Sequence, residues 1–150
     1  MRKVFLYVLI TAAVLSVPTR AADVAELHPV QTVALYKTDV GYRIETDTED
    51  HGEGETVEDA FINLQETTPG VIYLDTADYF LIFQGAESGG EDMRKYLKSN
   101  VEVCSAVGQG ELKEVSKYLS ARGKLQPLHQ WEKGQKLPIL DCRTDRIKFM

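Results

Sequence analysis

A chain of 150 residues, 43% hydrophobic and 27% charged, has the make-up of an ordinary one-domain globular protein, which excludes a disordered tail or a fibrous repeat. A chain of this size buries roughly 70% of the surface its unfolded form exposes, so it can build a core without metal or disulfide staples. Seventeen basic residues against 23 acidic ones give a net charge of −6, which argues against nucleic acid or anionic lipid as a partner held by charge alone.

The chain opens as a signal peptide. Met1, Arg2 and Lys3 form a positive start, Val4 to Val17 is an uncharged apolar run, and Pro18 to Ala22 carries the small residues of a cleavage site, with the cut expected after Ala21. Fourteen helical residues span about 21 Å, short of the hydrocarbon core of a bilayer, although an uncleaved anchor stays open as an alternative. Loss of residues 1–21 takes three of the basic residues, Arg2, Lys3 and Arg20, and no acid, so the remaining chain is more acidic still. Export makes a disulfide between Cys104 and Cys142 a candidate, with two free thiols as the equal alternative; no CxxC or Cys/His spacing points to redox or zinc chemistry.

Past that segment the pattern is mixed α/β, in the order β-β-α-β-α-β-α with short C-terminal strands, one sheet covered by three amphipathic helices. His28 to Lys37 reads as a strand and Tyr42 to Asp47 as its hairpin partner, because Tyr42, Ile44 and Thr46 alternate with Arg43, Glu45 and Asp47. Thr48 to Glu55, acidic and glycine-rich, reads as a loop. Thr56 and Asp59 are spaced as a capping box for a helix whose stripe is Val57, Ala60, Phe61 and Leu64, ended by Pro69 and Gly70. Val71 to Leu74 and Tyr79 to Phe83 are one interrupted strand or two. YFLIF, apolar on both alternating faces, should be central and covered on both sides. Gly85 to Asp92 reads as a return, with a short helix around Met93, Tyr96 and Leu97, and Val101 to Val107 as the next strand. Leu112, Val115, Tyr118 and Leu119 predict an amphipathic helix over 110–121 with Gly123 as a left-handed cap. Residues 22–125 form the expected domain. Residues 126–150 read as an extension, with short strands at Ile139 to Cys142 and Arg146 to Phe149.

The chemistry-bearing motifs are sparse. There is no GxSxG, Walker loop, GxGxxG or HExxH pattern, and His28, His51 and His129 are scattered and read as solvated. Ser88 in GAESGGE has the look of an exposed hydroxyl but no assignable base, and reads as a polar helix start. Taking Asp47 as the first position of a calcium loop puts Glu49, His51, Gly52, Glu53, Glu55 and Glu58 in register, but His51 is a poor ligand there and the flanks are strand and helix instead of two helices, so a solvated acidic loop is the main reading. The sequence names no metal, cofactor or catalytic residue.

The run from Val30 to Arg122, with VALYKTD, GYRIET, GEGETVEDAFINL, VIYLDTADYFLIF and NVEVCSAVGQGELKEVSKYL, resembles the N-terminal domain of the Ger(x)C spore-germination proteins, the C subunits of germinant receptors. Gly52, Glu53, Gly54, Thr56, Asp59, Ala60 and Leu64 stand where that family has its Gly-Glu-Gly-x-Thr helix start and the helix body. Ile72, Tyr73 and Leu74, then Tyr79 to Phe83, look like its next strands, and Gln109, Gly110 and Leu112 like the start of its following helix. Asp75 and Thr76 replace the family's Gly-His, and no lipobox Cys lies near residues 15–25. The resemblance implies a non-enzymatic exported module that works through a protein partner at the outer face of the cytoplasmic membrane of an endospore-former. Membrane contact is then indirect or through an uncleaved signal anchor. A free-standing secreted or envelope binding module with no role in spores is the alternative.

Overall fold

The computed structural model describes residues 27–143 and 145–150. The segment read as a signal peptide, residues 1–21, lies outside them. Among the described residues no helix is long and apolar enough to cross a membrane.

The opening apolar run divides into two strands, β1 (Leu27–Pro29) and β2 (Thr32–Lys37). The break has a backbone cause. Val30 donates its N–H to Thr76 Oγ1 and accepts that hydroxyl's proton on its carbonyl, while the Gln31 and Thr32 N–H groups turn to Asp47 Oδ1. β1 pairs in parallel with β5 (Val71–Tyr73), a small ribbon beside the main sheet, and a 3-10 turn at Leu74–Thr76 separates β5 from β6 (Tyr79–Phe83). The two apolar stretches are therefore two strands.

β3 (Tyr42–Thr46) returns antiparallel to β2, and β4 (His51–Gly54) returns antiparallel to β3. β4 corrects the reading of 48–55 as a loop. The turn between them closes with Thr46 donating its backbone N–H to the Asp50 carbonyl at 2.9 Å and with Glu49 at φ 69°, so the acidic residues crowd the tip. The next residues re-enter the sheet with Gly52 and Gly54 facing a helix. That helix, α1 (Val57–Thr67), has the expected capping box between Thr56 and Asp59, and it buries Val57, Ala60 and Leu64.

The remaining elements are α2 (Glu87–Met93), β7 (Glu102–Val107), α3 (Leu112–Ser120), β8 (Gln126–Pro127), β9 (Ile139–Asp141) and β10 (Lys148–Phe149). α2 lies earlier than the expected helix at 93–97 and runs through the stretch read as a return. Its glycines allow close approach: a Cβ on Gly89 would meet the Tyr42 ring at 2.6 Å, and one on Gly90 would meet Trp131 at 2.8 Å. Gly123 is not the left-handed cap of α3. That helix ends through Ala121, a right-handed residue whose N–H reaches back to the Leu119 and Lys117 carbonyls.

The main sheet runs β10-β9-β7-β6-β2-β3-β4, with β8 added to the start of β7. β2, β6, β7 and β9 are mutually parallel along that order, and the hairpins at either side are antiparallel. Both faces of the centre are covered, as YFLIF predicts. On one face Val33, Leu35, Phe80, Ile82 and Val103 pack under α1, α2, Leu128 and Trp131. On the other, Ala34, Leu81, Phe83, Cys104 and Ala106 pack under Leu112, Val115 and Leu119 of α3, together with Leu140 and Cys142. The segment 126–150, read as an extension, supplies β8, β9 and β10 to this sheet and side chains to both cores.

Candidate functional site

Because β2, β6, β7 and β9 point the same way, their carboxyl ends share one edge of the sheet, and open α/β sheets take ligands in the crevices at that edge. Among the described residues a cleft opens there on each face.

On the α3 face the cleft is about 400 Å³ and is walled by Tyr36, Lys37 and Thr38 of β2 and its turn, Arg43 and Glu45 of β3, and Gln109 with Gly110. Strand alternation explains the chemistry. Arg43 and Glu45 face away from the helix α1, and so does Glu53 on β4, so the guanidinium bridges both acids at 3.4 and 3.1 Å. Such half-exposed pairs contribute little stability. Tyr36 stacks on Phe83 with ring centroids 4.1 Å apart, and burial, followed by the nearby Glu45 carboxylate, raises its phenol well above the ordinary value. At the neighbouring strand end, Asp141 is almost fully buried and receives Arg143 Nε at 2.9 Å and the Arg143 backbone N–H at 3.2 Å. The Arg143 hydrogen bonds hold its carboxyl down at about 2. Gly108, at φ +83°, folds over this pair, and Gly110 lies so close to the Cys142 carbonyl that a Cβ would stand 1.8 Å from it.

On the α1/α2 face the cleft is about 390 Å³. Ile82 and Ser105 line it from the ends of β6 and β7, Glu87 and Ser88 from the start of α2, and Trp131, Lys133, Gly134, Gln135 and Leu137 from the connection to β9. Ser88 Oγ is 2.7 Å from the Tyr42 hydroxyl, and Tyr42 also carries Lys37 Nζ over its ring at 4.0 Å. His129 Nδ1 is engaged with the Ser99 carbonyl at 2.9 Å and His51 is exposed on β4, so the structure does not bring a histidine to Ser88. His28 has no described side chain.

The residues of the calcium-loop register are drawn apart. Asp47 is spent on two backbone N–H groups, Glu58 pairs with Lys95 at 3.4 Å, and Gly52 faces α1 inside β4 instead of turning a loop. Among the described residues no group of three or more His, Cys, Asp or Glu side chains is placed to hold a metal.

Cys104 and Cys142 are separate buried thiols in the same apolar cluster. The ladder Ser105↔Ile139 puts Pro138 opposite Cys104, and Cys142, whose N–H continues the ladder to the Val107 carbonyl at 2.8 Å, lies four residues beyond. Four residues of strand span about 13 Å. A disulfide needs Cα atoms roughly 4.4 to 6.8 Å apart. Burial raises both thiols, that of Cys142 to about 12 and that of Cys104 further. Neither should react with a disulfide reagent such as dithionitrobenzoate in the native protein near neutral pH, and both should react once the chain is unfolded without reductant. Silence in the unfolded chain would mean a bond that this register does not allow.

Sequence reading missed the second cleft, whose residues lie in α2, in β7 and in a stretch without periodicity. The lone tryptophan of the chain, set among Gly and Pro residues, was the available signal. Fold and clefts together define an α/β domain with a central parallel sheet, helices on both faces and ligand-sized openings at the carboxyl edge. Compared with models of known protein families, with curated proteins and with solved structures, the chain has no match.

Proposed function

We propose that this chain is a non-enzymatic, exported protein-interaction module of the Ger(x)C N-domain type, working against a protein partner at the outer face of the cytoplasmic membrane. What supports the reading is the way its signature residues meet. Gly52 and Gly54 lie against the α1 backbone, Thr56 and Asp59 cap that helix, and Ala60 and Leu64 are its fully buried residues. The motif is thus one packed β4–α1 unit, in which Gly52 and Gly54 serve close approach, Thr56 and Asp59 the cap, and Ala60 and Leu64 the buried face. Such a unit explains why those residues occur together in that order.

The test is where the chain accumulates and where it begins. Mass spectrometry of the N-terminus in vegetative cells, sporulating cells and purified spores should find a chain starting near Ala22 in the membrane fraction of spores. Recovery from the medium of vegetative cells, with none in spores, would replace this reading with a free-standing secreted binding module.

A further inference from the structure

We propose that the uncovered face of β9 and β10 is an interaction surface for helix α1 of a second copy of this chain, so that copies associate head to tail. The inference does not rest on the germination reading and stands or falls separately from it.

A sheet face is stable when another layer covers it. On the α3 side β9 and β10 have that cover, since Leu140 and Phe149 pack in the core beneath α3. Strand alternation turns Ile139, Lys148 and Met150 to the other side. There, among the described residues, nothing from β9 or β10 joins the core under α1 and α2, and Ile139 and Met150 stay 40% and 67% exposed. The two are cross-strand neighbours, with the Met150 N–H donating to the Ile139 carbonyl at 2.9 Å. Two strands are about 10 Å wide, the diameter of one helix.

α1 is a helix of matching chemistry. It buries Val57, Ala60 and Leu64, and its exposed stripe is Glu58, Ile62 and Glu66, spaced i, i+4 along one side. Ile62 is 48% exposed between the two acids; Glu58 reaches Lys95 at 3.4 Å, and Glu66 has no partner among the described residues. The β9–β10 face is the reverse, an apolar pair beside Lys148, with Lys136 in the connection before it, neither lysine being ion-paired among the described residues. This opposition runs through the chain. Residues 122–150 carry seven basic and three acidic residues, and one of those acids, Asp141, is buried against Arg143. Residues 22–121 carry seven basic and 20 acidic residues.

β10 and β4 are the two ends of the sheet, and α1 lies on β4, so the two surfaces are about 29 Å apart across the strands. That is several Debye lengths at physiological salt, so each end acts on its own. Like charge over most of the surface suppresses other orientations of the second copy. A surface and its complement at opposite ends of one molecule make a heterologous contact, which propagates instead of closing as a pair. One helix face on two short strands covers less than the roughly 800 Å² that a stable interface takes from each partner, so the contact is weak.

Sedimentation equilibrium of the purified mature protein at low salt should show self-association with a dissociation constant on the order of 100 µM, weakened at least about tenfold in about 0.5 M salt. Two variants separate the halves of the contact. Ile62→Lys with Glu66→Lys spoils the helix stripe, and Ile139→Gln with Met150→Gln spoils the strand face; all four positions are exposed, so both chains keep their fold. Each alone should be monomeric. Their equimolar mixture should form a dimer that grows no further, because one intact stripe and one intact face remain. A wild-type protein monomeric up to about 1 mM would overturn the proposal, as would association that either variant retains, or a mixture that stays monomeric. Should circular dichroism show a variant misfolded, the wild-type salt series decides, and association that salt leaves unchanged or strengthens overturns the proposal as well.

Discussion

Gly52→Ala should destabilise the protein by roughly 3 kcal/mol, read as a drop in the urea midpoint of unfolding, although alanine is the better residue for an unfolded-chain argument. Replacing glycine by alanine at a compatible position stabilises by about 0.4 to 1 kcal/mol through the unfolded state. Here sterics outweigh that gain. A Cβ on Gly52 would stand 2.3 Å from the Ala60 carbonyl oxygen and from the Leu64 nitrogen, and 2.7 Å from the Leu64 Cα. All three are backbone atoms of α1, so no rotamer change relieves the overlap, and the helix must lift from β4. Lifting it also uncovers Ala60 and Leu64, both fully buried. Gly123→Ala is the matched control, since nothing lies within 4 Å of a Cβ there, and it should change stability by less than about 0.5 kcal/mol. Equal effects of the two substitutions would mean that α1 does not rest on β4.

The same contrast explains which parts of the fold were legible in the sequence. α1 was readable because its signals are local: a cap at Thr56, a partner at Asp59, and a stripe with helical period. β6 was readable because apolar residues on both alternating faces leave few places for a strand except the centre. β4 and α2 were hidden because their glycines answer to distant neighbours. Gly52 and Gly54 make room for α1, Gly89 for Tyr42 and Gly90 for Trp131, and as composition each looks like loop. The split between β1 and β2 depends on Thr76 and Asp47, neither of which belongs to the run it interrupts. The cleft was hidden for the same reason, since Ser88, Ser105 and Trp131 become neighbours only when the crossover after α3 returns to the α1/α2 face.

Phe80→Ala should cost about 4 kcal/mol, more than any other single truncation in the sheet, and should lower the thermal midpoint by roughly 10 °C. The side chain has no exposed surface and sits in the middle of the parallel array, opposite Val33 of β2 and Val103 of β7. Truncation removes the transfer energy of a phenyl ring and leaves a hole. How much of the hole remains decides the magnitude. β2 and β7 are held to β6 by hydrogen-bonded ladders on both sides, and the helices above are anchored by the same core, so the walls cannot close in. Phe83, three residues on, gives the comparison. It lies at the strand end and stacks on Tyr36, whose ring borders an open cleft and can follow the missing partner. Phe83→Ala should therefore cost about half as much, near 2 kcal/mol. Urea unfolding of the two variants under identical conditions measures the difference directly. If Phe83→Ala proved the more damaging, the core on the α3 face, and not the one under α1 and α2, would carry the larger share of the stability.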